Sequence, residues 1–189
     1  MKSIEEKILS NSKIIDNDII KVDSFLNHQI DISFLKEFAS GVKEAFLGKK
    51  IDKVLTIETS GIAVSYAVCE ALGDIPLVFA KKSKSKITDS NVYQTNIYSF
   101  TRGIVSPVTV SKDYLKAGEN ILIVDDFLAG GNAGLGLIDL CHQAGANPVG
   151  FAAVIEKSFQ GGRKKIEEQG VPVFSGAAIK AFKDNKPVF

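Results

Sequence analysis

The 189-residue sequence predicts an α/β fold, a mostly parallel sheet with helices on both faces. Three observations carry this expectation. Ile121-Leu122-Ile123-Val124 is a short aliphatic run, mostly β-branched, that suits a strand buried on both faces. Further apolar runs at 53–57, 74–80, 148–155 and 171–174 alternate with helix-periodic runs at 31–48, 62–72 and after Gly130. Two of the strands, ending at Ile57 and Val124, pass through small-residue loops into a helix, as loops do at the carboxyl edge of an open parallel sheet.

In chain order, residues 2–10 form a short amphipathic helix, with Ile4, Ile8 and Leu9 opposite Glu5, Glu6 and Lys7. From Asp18 to Phe25 the chain alternates as an extended piece, Ile20 and Val22 facing away from Ile19, Lys21 and Asp23. The polar trio Asn27-His28-Gln29 has no packing purpose of its own. Asp31 caps a helix whose apolar positions Phe34, Leu35, Phe38, Ala39, Val42, Ala45 and Phe46 recur at three and four, and which stops at Gly48. Lys53–Ile57 is the first buried strand, and Glu58-Thr59-Ser60-Gly61 leads into the helix over 62–72. Thr59 or Ser60 either caps that helix or joins the loop amides in holding an anion.

Asp74–Ala80 supplies the next strand, with Pro76 tolerated near its start. Of the lysines that follow, Lys84 and Lys86 read as a solvated face, whereas Lys81 and Lys82 stand at the carboxyl edge. The polar excursion Ser83–Asn96 is long enough to mark a lid, and a strand-like run, Ile104–Ser111, lies beyond it. After the central segment, Pro148–Ile155 is another buried strand, followed by a polar helix to Gln169 and a strand over Val171–Phe174. Lys157 occupies the same edge as the other loops, where its ammonium can donate to a carbonyl oxygen. No catalytic role is read in the tail from Ser175 to Phe189.

The totals exclude several classes. The chain is long enough for one domain with a sizeable core, and 45% apolar residues rule out disorder. A net charge of +1 gives no global attraction to nucleic acid or membrane. The opening residues lack the pattern of a signal peptide and no apolar run is long enough to span a bilayer, so a cytoplasmic protein is expected. Cys69 and Cys141 lie in apolar-periodic runs as reduced core thiols, and His28 and His142 have no ligand spacing that would make a protein-held metal site.

The central segment has its own chemistry. Asp125 and Asp126 are suited to sugar hydroxyls, and Gly130-Gly131-Asn132-Ala133 lets backbone amides approach a phosphate at a helix start. A dinucleotide fingerprint is the rival, with Glu156 at the expected distance. However, Gly131-x-x-Gly134-x-Gly136 has the glycine order reversed, and the two carboxylates would repel a pyrophosphate.

Hydrophobic strand, acid pair and small-residue loop together resemble the phosphoribosyl-pyrophosphate signature of the type I phosphoribosyltransferases, in particular their xanthine-specific branch, where Ala133 replaces the usual Thr or Ser. Lys21–Asp31, Thr56–Ala63 and Val154–Gln160 carry the likeness along the rest of the chain. The resemblance implies one domain over 1–189, with a parallel sheet, a small N-terminal hood mainly from 1–35 and a β-flap lid over about 83–103. It implies transfer of a phosphoribosyl group from phosphoribosyl pyrophosphate to xanthine, with magnesium carried by the diphosphate, and a homodimer. Ala129, Gly130, Gly131, Asn132 and Ala133 would hold the 5′-phosphate, and Asp125 and Asp126 the ribose. Thr59, Ser60, Gly61, Lys81 and Lys82 would hold pyrophosphate, the lysines either that of their own subunit or that of a neighbouring one. Ile20, Asn27 and Lys157 would contact xanthine, while Phe127 either stacks on the base or belongs to the core. Another purine base, or sensing of the donor without turnover, are the alternatives.

Overall fold

The sheet's centre is set by β-branched strands that no single face can satisfy. The computed structural model describes residues 2–82, 91–99 and 103–189. Its elements are α1 (Lys2–Asn11), β1 (Lys13–Ile15), β2 (Ile19–Lys21), a π-helical turn (Asp23–Asn27), α2 (Ile32–Ala45), β3 (Lys53–Ile57), α3 (Gly61–Ala71) and β4 (Leu77–Lys82). Then follow β5 (Val92–Ser99), β6 (Ile104–Ser111), β7 (Asn120–Leu128), α4 (Asn132–Ala144), β8 (Asn147–Lys157), a 3₁₀ turn (Ser158–Gln160) and α5 (Gly162–Glu167). The chain finishes with β9 (Val173–Ile179), β10 (Ala181–Lys183) and β11 (Lys186–Val188).

Seven strands form one sheet in the order β5-β6-β4-β3-β7-β8-β9. The five from β4 to β9 run parallel, and β6 and β5 add an antiparallel edge. Successive side chains of a strand face opposite ways, and β7 shows why its run had to be continuously apolar. Leu122 and Val124 enter a core with α2, α3 and the buried Ile4 and Ile8 of α1. Ile121 and Ile123 enter a second core with α4 and Ile166 of α5. Each fully buried side chain of this size contributes about 1.5–3 kcal/mol. Two short antiparallel pairs, β1–β2 and β10–β11, stand apart from this sheet. Cys69 and Cys141 are separate buried thiols, and burial pushes them up to about 11 and about 12 respectively.

Several boundaries differ from those expected, each for a local reason. The strand of Ile121–Val124 does not stop at the acid pair; β7 runs to Leu128 because β8 keeps pairing with it, Asp125 opposite Ala153 and Leu128 opposite Glu156. The strand expected from Asp74 starts only after Pro76. It continues through Lys81 and Lys82, which pair with Thr109 and Val108 of β6, so both lysines lie within a strand rather than beyond one. Likewise β9 starts after Pro172 and extends to Ile179. The extended piece ends at Lys21; Asp23–Asn27 winds instead, burying Phe25 and Leu26, with Phe25 edge-on to Phe34 at 5.0 Å. Part of the polar excursion is strand β5, whose buried Ile97 packs on Gly136 of α4. Lys84 and Lys86 lie outside the described residues, as does most of the expected lid tip. Among the described residues no helix is long and apolar enough to cross a membrane.

Candidate active site

The carboxyl ends of β3, β4, β7 and β8 bring the sequence-predicted loops to one edge. Asp125 and Asp126 are both buried there, at 5% and 8% exposure. The Asp125 Oδ1 accepts the Asp126 N–H at 2.9 Å, and the Asp126 Oδ1 accepts the Phe127 N–H at 3.0 Å. Burial, followed by the neighbouring Asp126 charge, holds the Asp125 carboxyl well above the usual carboxylate range, with Lys82 pulling weakly the other way. Against this pair sits the start of α3. A side chain on Gly61 would collide with the Thr56 hydroxyl and come 3.0 Å from Asp125 Oδ1, so only glycine lets the loop approach the acids so closely. The buried Thr56 hydroxyl has no hydrogen-bond partner among the described residues.

The loop 58–61 is open to solvent at Thr59 and Ser60, and its Glu58–Thr59 peptide is cis. Ser60 occupies the cap position of α3 but makes no capping hydrogen bond, so the capping explanation fails for its side chain. Glu58 Oε1 accepts the Lys82 N–H at 2.7 Å, tying this loop to the end of β4. Lys81 and Lys82 are exposed, the Lys81 ammonium lying 5.9 Å from the Phe79 ring centre.

Beyond β7, residues 129–131 form the loop into α4. Gly131 has φ 84, a left-handed conformation that favours glycine, and it directs the chain into the helix, whose first amides lack intrahelical partners. The back of this loop rests on α5. A Cβ on Gly162 would collide with the Ala129 carbonyl oxygen and stand 2.7 Å from the Gly131 nitrogen. Lys165 Nζ donates to the Gly130 oxygen at 2.9 Å. Helix α5 is itself anchored by Arg163, whose guanidinium donates to the buried Glu156 carboxylate at 2.6–3.1 Å and to the Val173 oxygen at 2.8 Å. Asn132 Nδ2 donates to the Tyr98 oxygen at 3.3 Å, joining the helix start to β5.

On the other side of the edge, Lys157 ends β8. Its ammonium donates to the Asp18 oxygen at 3.0 Å and lies 5.6 Å from the Phe182 ring centre. Burial lowers its pKa, with the Asp18 charge opposing. Ile20 is buried in β2, two residues from Asp18, whereas Asn27 is exposed at the end of the π-helical turn and makes no hydrogen bond to Lys157. Phe127 is half-buried and packs against the α2–α3 core. Lys165, Gly162, Asp18 and Phe182 were not singled out by sequence reasoning. Only Gly162 carried a signal, as the second of two adjacent glycines after a buried strand.

A family model described as "Phosphoribosyl transferase domain" matches residues 21–180. The chain belongs to this family. A xanthine phosphoribosyltransferase of Clostridioides difficile (strain 630) is 53% identical over 188 residues, covering 100% of this chain and 98% of that relative. Another, from Laribacter hongkongensis (strain HLHK9), is 47% identical over the full length of both. Among solved structures, adenine phosphoribosyltransferase from Saccharomyces cerevisiae superposes with a TM-score of 0.75 at 22% identity, covering 93% of this chain and 99% of that one. The Rhodothermus marinus adenine phosphoribosyltransferase gives 0.76 at 22% identity, covering 95% and 100%. At this identity the structures speak for the family's fold, an α/β sheet of mostly parallel strands.

Proposed function

We propose that this chain is a xanthine phosphoribosyltransferase of purine salvage, transferring the 5-phosphoribosyl group of phosphoribosyl pyrophosphate to xanthine to give xanthosine 5′-monophosphate and pyrophosphate. The buried acid pair carries the reading: Asp125 and Asp126 stand between the Gly61 loop and the glycine turn of α4, in a chain alike from end to end to relatives named for xanthine. In this assignment Ala129–Ala133 receive the 5′-phosphate on the helix amides. Thr59, Ser60, Gly61, Lys81 and Lys82 receive pyrophosphate. Ile20, Asn27 and Lys157 face the base, Asn27 because an amide both donates and accepts and so matches the carbonyl and N–H that distinguish xanthine from hypoxanthine. Phe127 is the weaker member, since its contact with the core serves packing.

The chemistry follows from burial. A desolvated carboxylate opposed only weakly by the Lys82 charge is stabilised most when positive charge appears beside it. Departure of pyrophosphate generates that charge on the ribose ring, so Asp125 and Asp126 favour the oxocarbenium-like state over the ground state. No covalent nucleophile is required. Magnesium carried by the donor's diphosphate, with no protein ligand of its own, would neutralise the leaving group. The hood mainly from 1–35 covers the base, and β5, the described part of the expected flap over about 83–103, helps keep water from the cationic centre.

A homodimer in the cytoplasm completes the proposal. An apolar groove of about 510 Å³ between α2 and α3, edged by exposed Ile32 and Tyr66, reaches Thr59, so a second copy seated there would border the pyrophosphate loop. Light scattering on the purified chain tests this; a monomer at micromolar concentration refutes it. The function itself is tested by assaying the purified chain with magnesium phosphoribosyl pyrophosphate against xanthine, hypoxanthine, guanine and adenine. Preferred turnover of xanthine is expected. Equal or better turnover of another base overturns the base assignment, and donor binding without turnover of any base marks a sensor.

A further inference from the structure

The last residues of the chain, which leave the main sheet after β9, return to the base side of the edge. Hairpin β10–β11 lies against hairpin β1–β2 of the hood, and the two meet at their tips. Asn17 and Asn185 exchange hydrogen bonds: the Asn185 N–H donates to Asn17 Oδ1 at 2.8 Å, and the Asn17 N–H donates to Asn185 Oδ1 at 3.3 Å. Both turns are of the same left-handed kind, with φ of 51 at Asn17 and 54 at Asn185, a conformation that asparagine tolerates better than most residues. Each asparagine therefore shapes its own turn and satisfies the backbone of the other.

Lys157 sits where the two hairpins converge. One hairpin supplies the Asp18 carbonyl at 3.0 Å, the other the Phe182 ring at 5.6 Å. Phe182 is backed in turn by Phe159, edge-on at 5.6 Å and 77°. A lysine is a point charge on a flexible stem with three donors. Here the carbonyl takes one donor and the ring face attracts the cation without competing for the rest. What remains is a pair of donors held in one place.

We propose that the C-terminal hairpin is a positioning device for base recognition: Phe182 fixes the Lys157 ammonium, and the Asn17–Asn185 clasp fixes the hood hairpin that supplies Asp18. This rests on the reading of Lys157 as a base ligand. Its consequence is that residues more than 20 positions beyond Lys157, in a tail with no acid, base or phosphate motif, set the affinity for the purine and leave the donor's affinity alone.

Steady-state kinetics on the full chain test it, with thermal melting to confirm folding. F182L is expected to raise KM for xanthine about tenfold, the factor one partly desolvated cation–π contact carries, with KM for phosphoribosyl pyrophosphate unchanged; F182Y is expected to restore it. N17A and N185A should each raise the xanthine KM about threefold, and N17A/N185A together more than either alone, because each side chain makes its own hydrogen bond. In a K157Q background F182L should add nothing. An unchanged xanthine KM in F182L, an equal rise in both KM values, or a full additional loss from F182L in the K157Q background overturns the proposal. If K157Q itself leaves the xanthine KM unchanged, the reading of Lys157 falls first; if K157Q raises it and F182L does not, only the hairpin's role falls.

Discussion

The two ends of the candidate site are built differently. At the proposed phosphate end, backbone does the shaping: Gly131 turns the chain, Gly162 packs onto it, and the loop grows from the centre of the sheet beside β3 and β8. At the proposed base end, the Asp18 carbonyl of one small hairpin and the Phe182 ring of another converge on Lys157, and a pair of asparagines clasps the two hairpins together. The first arrangement tolerates almost no change in size but is insensitive to side-chain detail. The second is adjustable residue by residue, as suits the part of the site that must tell one purine from another.

The largest effect is expected where both ends depend on the same groups. D125N/D126N should lower kcat by about a thousandfold or more, the scale of lost electrostatic stabilisation in a preorganised site, while circular dichroism remains that of the parent; unchanged turnover would remove the acid pair from the mechanism. The single variant D125N has a second consequence. Because the folded state raises the Asp125 pKa, the carboxylate costs stability as pH rises from the ordinary carboxylate range through that raised value. D125N should therefore melt higher than the parent at neutral pH, by about 2–4 °C for each kcal/mol recovered, and the gain should vanish in acid. A lower melting temperature at pH 7 would contradict the buried-charge account.

G162A probes the backbone end. The added methyl must push the Ala129–Gly131 loop aside, and a displacement of about 1 Å costs roughly a hundredfold in rate. The loss should appear in kcat/KM for phosphoribosyl pyrophosphate; a variant with normal kinetics would show that the two loops are not in register. N27A probes the other end. It should reduce selectivity for xanthine over hypoxanthine by about 5- to 150-fold, corresponding to about 1–3 kcal/mol for a polar group left unpaired, and an equal loss on both bases would count against a selecting role. The smallest effect is expected from K165M, which removes one hydrogen bond to the Gly130 carbonyl. It should raise KM for the donor about two- to tenfold with the xanthine KM unchanged, and a change in xanthine KM alone would place Lys165 on the wrong side of the comparison.

The same contrast explains what the sequence reveals. The phosphate end is written in one contiguous stretch, because a strand, its terminal acids and the following helix start are neighbours in the chain. The two-sided burial of β7 was legible for the same reason: Ile121 through Val124 can be satisfied only between two layers. The end of that strand was not, since backbone pairing with β8 continues regardless of the charge at Asp125. The base end is assembled from segments at both ends of the chain, and neither Asp18 nor Phe182 differs locally from a turn residue or a surface aromatic. At Ser60 the sequence left two readings open, a helix cap or an anion-holding loop, and the structure removes the first for its side chain, which makes no capping bond and is exposed in the loop.

Gly162 has a wider implication. It lies five residues beyond Lys157, and its main chain is wedged against the turn at Gly131. The five-residue segment after Lys157 thus links the groups proposed for the purine to those proposed for the 5′-phosphate, and a nucleotide analogue one methylene longer between ring and phosphonate is expected to bind less tightly than its parent, whatever its base.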